Sequence, residues 1–364
     1  MASTVYYCSM SCRKHSQTKA AKIARLCSLL KLNEVVVKDK PCAIKLHFGE
    51  TGNDTHLNPQ LVQVVVDKVR AAGALPFMTD TTTLYSGTRH NAVDHLNTAL
   101  RHGFAPGVVD APTIIADGLF GENDMPVTIN AKNFKEVHIA TEIVKVPSMV
   151  VLSHFKGHEM AGFGGAIKNL AMGCASQRGK RDQHGTTVSV NEEKCIGCGN
   201  CVRICPEQAM SLQENKKSHC DSSKCIGCFE CMTVCEPKAI EIDWATDVPA
   251  FMERLTEYAY GAVKGYEEHI CYINFVMNVT PDCDCAGWSD MPMIPDVGIL
   301  ASHDPVALDQ ACFDLVQKAP LLASLDLQGR DIFTARWPHT HGTIQLRYAE
   351  ELGMGTREYE LKEV

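Results

Sequence analysis

The sequence has no apolar run near the ~20 residues that cross a bilayer, which excludes a membrane-spanning helix of ordinary length. Residues 1–15 contain no basic segment followed by an apolar stretch, so they do not read as a secretory signal. Positive charge is not in excess: 35 Lys and Arg stand against 43 Asp and Glu, a net charge of −8. A broad nucleic-acid surface is therefore not expected. No low-complexity tract interrupts the 364 residues. Hydrophobic residues at 45% and charged residues at 21% describe an ordinary globular chain, long enough for two domains and a large core.

Cysteine is abundant, with 18 residues. A secreted scaffold stapled by disulfides would be much smaller, and the spacing here points elsewhere. The expectation is a reducing cytoplasm, in an anaerobe rather than an aerobe. Cys27, Cys42, Cys271 and Cys312 lie in apolar periodic segments and read as small buried hydrophobes.

Residues 191–243 hold the strongest signal. Cys195, Cys198, Cys201 and Cys205-Pro206 follow C-x2-C-x2-C-x3-C, and the pattern returns at Cys225, Cys228, Cys231 and Cys235. This is the spacing of a bacterial ferredoxin with two 4Fe-4S clusters, in which the fourth cysteine of each run reaches the other cluster. Cluster one would use Cys195, Cys198, Cys201 and Cys235, and cluster two Cys225, Cys228, Cys231 and Cys205. Zinc knuckles would instead bring two C-x2-C pairs together over a longer gap. Pro237 stands one residue later than Pro206 does in the first half, which alters the turn and removes no ligand.

On either side of this module, short apolar strands alternate with amphipathic helices. Strands are expected at 5–7, 42–48, 75–78, 112–116, 135–146, 148–154, 270–277 and 294–300. Helices are expected at 19–30, 58–73, 92–102, 166–174, 248–264 and from Asp304-Pro305 onward. The stretches 155–165 and 178–181 read as glycine-containing basic loops. The fold class is α/β: a parallel or mixed sheet with flanking helices, interrupted by an inserted ferredoxin-like module. Residues 1–188 would begin the α/β domain, 189–244 form the module, and 245–364 complete the α/β domain; a separate C-terminal domain is the alternative.

Ligands of open α/β sheets sit beyond the carboxyl ends of the strands. Those positions hold His47 and Glu50, Asp80, Asp117, Ser153 and His154, with Lys156 and His158 just after. Gly162, Gly164 and Gly165 precede a helix whose N–H groups would seat an anion, with Lys168 one turn in. Cys283-Asp284-Cys285 is a C-x-C pair, whose disulfide ring would be strained. As thiols they would ligate a metal, touch a third redox centre or relay protons. Cys8 and Cys12 lack partners at ligand spacing, Asp304 reads as a helix cap, and Trp244, Trp288 and Trp337 read as packing residues.

The segments Lys45-Leu-His47-Phe-Gly49-Glu50, Ser153-His-Phe-Lys-Gly-His158, Gly162 through Gly173, Cys283-Asp-Cys285 and Asp304-Pro-Val-Ala307 resemble an iron–sulfur-centre family known only as domain of unknown function 362. The resemblance covers nearly the whole chain. It implies an α/β domain with an inserted two-cluster ferredoxin module, and no agreed substrate. A shorter segment, His158-x3-Ala-Gly162-Phe-x-Gly-x2-Lys168, is similar to nickel-pincer lactate racemases, where histidines and a lysine serve the pincer cofactor.

The expected function is a ferredoxin-fed reductase. A soluble carrier, ferredoxin or flavodoxin, would load the clusters. His47, His154 and His158 would supply protons to a small anionic substrate held by Lys156, Gly162, Gly164, Gly165 and Lys168. The alternatives are a non-enzymatic electron carrier or metal-delivery protein, and a racemase- or isomerase-like enzyme with an additional metal or nickel cofactor. In that last case Cys283 and Cys285 are the candidate extra site.

Overall fold

A computed structural model describes residues 2–85, 87–185, 187–241, 247–322 and 325–364. The module's expected end at 244 and Trp244 lie outside the described residues.

One eight-stranded sheet organises the chain. Its order is Tyr359–Glu363, Ser3–Ser9, Gly298–Ser302, Ile270–Val276, Met149–His154, Pro41–Lys45, Leu75–Asp80, Thr113–Ile115. All neighbours pair in parallel except Gly298–Ser302, which runs against both of its neighbours. Strands from before residue 189 and from after residue 264 thus share a single mixed sheet, with Ser3–Ser9 lying between two of the later strands.

The central strands are buried on both faces, as their continuous apolar character requires. In Met149–His154, Met149 and Val151 face one core while Val150 and Leu152 face the other. Helices Lys19–Leu29 and Pro59–Ala71 cover the second core through Ile23, Leu26, Val62, Val65, Val66 and Val69. Each such side chain, fully buried, contributes roughly 1.5–3 kcal/mol of transfer free energy. Pro59–Ala71 begins where Asn58 accepts the Gln60 N–H and proline occupies the first turn. Helices Ala166–Gly173, Asp247–Val263 and Pro305–Lys318 cover the first core. Cys201, Met210, Phe229, Cys231 and Ile240 belong to that same core, so the cysteine module is packed into the α/β body.

Five local expectations change. The strand expected at 135–146 divides into the strand Glu136–Ala140 and one helical turn, Thr141–Lys145, which buries Ile143 alone. Alternation over so few residues also suits a single turn. The stretch 155–165 is a hairpin, Lys156–His158 against Gly162–Gly164, turned by Gly162 at φ +73°. Gly157 is required there, because a Cβ would lie 2.3 Å from the Pro281 carbonyl oxygen. The basic run near 178 is the helix Gln177–His184, whose Ser176 accepts the Gly179 N–H. Its many polar residues conceal that Gly179 and Gln183 are buried. The strand expected at 294–300 lies at Gly298–Ser302. Trp288 is exposed rather than packed, donating to Asp282.

Candidate functional site

The module brings its eight motif cysteines into two separate apolar cavities. Cys195, Cys198, Cys201 and Cys235 line the first, and Cys205, Cys225, Cys228 and Cys231 line the second. The fourth cysteine of each run therefore faces the other run's cavity. The displaced Pro237 still lines the first. Backbone N–H groups point at the sulfurs: Ser218 at Cys195 (3.4 Å), Ala209 at Cys205 (3.2 Å) and Ala239 at Cys235 (3.2 Å). Four converging thiols in an apolar wall with amide donors on sulfur fit an iron–sulfur cluster, whose charge such donors moderate. Sequence reasoning missed Cys220, which lies beside Cys225 and Cys205; burial and then Cys225 push its thiol up to about 12.

The second constellation lies beyond the carboxyl ends of the parallel strands. His47 follows Pro41–Lys45, His154 ends Met149–His154, and the Cys283-Asp284-Cys285 loop follows Ile270–Val276. Glu50 N–H donates to the Asp284 carbonyl (2.8 Å), tying two of these loops together.

Several expected ligands are engaged internally. Asp80 pairs with Lys45 at 3.0 Å, both side chains buried. Asp117 accepts the Thr82 N–H and hydroxyl. Glu50 pairs with Arg89 (3.1 Å) and accepts from Thr88 and Thr51. His47 Nδ1 accepts the Gly49 N–H and its Nε2 meets Arg89 at 3.0 Å; burial and then Arg89 hold its imidazole well below the usual range. His154 Nδ1 lies 2.9 Å from both Asp284 oxygens, and its Nε2 lies 2.7 Å from the Met277 carbonyl. Both ring nitrogens are thus taken up by neighbours, and His154 binds the Asp284 loop to the sheet.

The glycine-rich helix start carries its anion already. Asp309, from helix Pro305–Lys318, accepts the Ala166 N–H (2.8 Å), the Ile167 N–H (2.9 Å) and the Asn274 amide (2.6 Å). Gly165 leaves room for this carboxylate, since a Cβ would sit 2.4 Å from Asp309 Oδ1. Gly162, Gly164 and Gly165 therefore shape a hairpin and a helix end that the protein fills itself.

What remains convergent is a small cluster. Lys156 Nζ lies 3.3 Å from Asp284, and Lys168 Nζ lies 3.8 Å from Cys283 Sγ. Burial opposes the Lys156 charge, yet Asp284 and the two cysteines raise its ammonium to about 12. The Cys285 thiol, hydrogen-bonded to Cys283, holds Cys283 well below the usual thiol range and is itself pushed up. Burial, then Lys168 and Lys156, keep His158 well below the usual imidazole range. His158, Cys283 and Cys285 offer ligand atoms within 4.8 Å of one another, and among the described residues no other three His, Cys, Asp or Glu side chains come that close together. Cys8 is buried in a strand and donates to the Val364 carbonyl, while Cys12 is exposed. Asp304 caps its helix as expected. Arg89 and Asp309 escaped the sequence reading, and Asp284 was read only as the middle of the C-x-C pair, although an acidic residue on the apolar face of a helix marked Asp309.

Fold and site together define an α/β protein with a ferredoxin-type iron–sulfur segment. The family model described as Domain of unknown function (DUF362) matches residues 42–314, and the chain belongs to that family. Over 32 residues, 9% of the chain, it is 50% identical to Ferredoxin-2 of Desulfomicrobium norvegicum, spanning 54% of that protein. A solved structure, the lactate racemase apoprotein from Thermoanaerobacterium thermosaccharolyticum, is 13% identical with a TM-score of 0.38; the match covers 76% of this chain and 51% of that one. The chain thus spans about half the length of each protein, and nothing about racemase chemistry transfers at that similarity. Among the described residues no helix is long and apolar enough to cross a membrane.

Proposed function

We propose that the chain is an iron–sulfur electron-transfer protein holding two 4Fe-4S clusters, one on Cys195, Cys198, Cys201 and Cys235, the other on Cys225, Cys228, Cys231 and Cys205. The observation that carries this reading is the pair of cavities lined by these crossed sets. The clusters would supply single electrons at low potential. Residues 189–244 act as a module inserted into one α/β domain made by 1–188 and 245–364.

The module is a feed line for a reductive site at the strand ends. A soluble one-electron carrier loads it, and the reaction is reduction of a small anionic substrate. The substrate's charge is met by Lys168 and Lys156, because Asp309 already occupies the helix start. His158 is the proton-handling candidate, since both nitrogens of His154 are bound to acceptors.

Anaerobic purification followed by iron and sulfide analysis tests the reading. About eight of each per chain are expected. About four, or zinc in their place, overturns it.

A further inference from the structure

Cys283, Cys285 and His158 have the mutual spacing of a thiolate–imidazole metal site. Their surroundings favour a different chemistry. His158 Nδ1 accepts the N–H groups of Met160 and Ala161, each at 3.1 Å. The proton of the neutral ring is therefore on Nε2, the nitrogen that faces Cys285 Sγ at 3.9 Å. A metal would need the lone pair that this tautomer lacks. Lys168 lies 3.8 Å from Cys283 Sγ, and the ammonium of buried Lys156 acts on both thiols. The one carboxylate between the cysteines, Asp284, is taken up by His154 and Lys156. Lys168, Lys156 and the His158 N–H beside the two sulfurs favour thiolates, against the opposing charge of the Glu159 carboxylate.

We propose that Cys283 and Cys285 are a redox-active dithiol–disulfide couple, a two-electron store at the carboxyl edge of the sheet. On reduction the S–S bond takes up two electrons and two protons and breaks into two thiols; on oxidation the two thiols pass two electrons and two protons to the small anionic substrate, which is reduced, and the S–S bond forms. The reductant is a one-electron carrier of the ferredoxin class, acting twice. Protons enter beside Cys285, the less buried of the pair. The tight C-x-C ring makes such a disulfide easy to reduce, as suits a cycling couple rather than a structural bridge.

The module packs against the helix Gln177–His184, and the couple is reached from Lys168. Phe229 lines the second cysteine cavity, and its ring centroid is 5.2 Å from that of His184. Lys168 is the strongest charge acting on His184, and Lys168 reaches Cys283. Phe229 holds φ +61°, where the first half of the module has Gly199 at +71°. A bulky side chain in that region is strained, as residues at functional junctions often are.

The proposal rests on the preceding reading for the source of electrons but not for the existence of the couple. Anaerobic holoprotein is poised at graded ratios of reduced to oxidised dithiothreitol, quenched with iodoacetamide and digested, and the peptide carrying both cysteines is weighed. The expected result is one two-electron transition between a doubly labelled form and an unlabelled form lighter by two hydrogens than the dithiol. Lys168→Met should move the midpoint several-fold toward more reducing ratios. Independent labelling of both cysteines at every poise overturns the couple, as does a non-iron metal that Cys283→Ser releases. Iron-loaded protein without the transition rejects the couple alone. Iron-free protein that keeps it rejects the cluster reading alone.

Discussion

His154 and Asp284, 130 residues apart, form a buried pair in which one ring nitrogen lies 2.9 Å from each carboxylate oxygen. The contact fastens the loop carrying both cysteines of the C-x-C motif to the end of a central strand. Against burial, which raises it, His154 and Lys156 hold the Asp284 carboxyl well below the usual range.

Replacing Asp284 by Ala leaves two buried donors, His154 and Lys156, facing no carboxylate. Breaking a buried charge pair from one side costs about 3–5 kcal/mol. Asp284→Asn keeps one acceptor oxygen and should lose less. Chemical denaturation of both variants checks the order, and equal stability of Asp284→Ala and the parent chain would show that the pair does not hold the loop.

Asp309 and Gly165 make a second prediction. Gly165→Ala pushes a Cβ to 2.4 Å from a carboxylate oxygen that has no room to retreat, and overpacking of this kind costs about 1–3 kcal/mol. Asp309→Ala removes the acceptor for two helix N–H groups and the Asn274 amide, at about 2–4 kcal/mol. Because both changes act on one contact, the double variant should be less destabilised than the sum of the singles. Additive losses in denaturant unfolding would separate the two positions.

Lys180 links stability to pH. It is buried, donating to the Thr81 hydroxyl and the Ala175 carbonyl, and burial lowers its ammonium to about 8, with Asp117 acting against the shift. Between about 8 and the unfolded value near 10.4, the unfolded chain binds the extra proton, so this group's contribution to stability rises with pH across that window. Lys180→Met removes the slope. The difference in unfolding free energy between parent and variant should therefore change by up to about 3 kcal/mol from pH 8 to 10.5. A difference that is constant with pH would place Lys180 in a solvated setting.

These pairs explain which parts of the molecule can be read from the chain alone. Cysteine spacing in the module is a local pattern, so the grouping of cysteines that line each cavity was legible. Helices such as Pro59–Ala71 announce themselves through Asn58, a first-turn proline and four valines on one face. Asp309 and Ala166 are separated by 143 residues, and no local pattern joins them. The glycine-rich helix start therefore read as a vacant anion seat. His154 and His47 looked available as acids and bases because their partners, Asp284 and Arg89, are supplied by distant loops. The histidine whose environment stays open is His158, and only the backbone of its own hairpin reveals which nitrogen carries the proton.

The crossed cysteine sets lead to a prediction that distinguishes this module from two independent metal knuckles. Cys235 belongs in sequence to the second run but lines the cavity of the first, and Cys205 does the reverse. Cys235→Ala should therefore deplete the cluster held by Cys195, Cys198 and Cys201, while Cys205→Ala should deplete the one held by Cys225, Cys228 and Cys231. Each variant should retain about four of the eight irons expected for the parent, and the surviving centre should show the spectrum of the run that did not lose a cysteine from its cavity. The readout is iron content with paramagnetic resonance of the reduced proteins. If Cys235→Ala instead emptied the cavity of Cys225, Cys228 and Cys231 and left the other intact, each run would be binding its own metal.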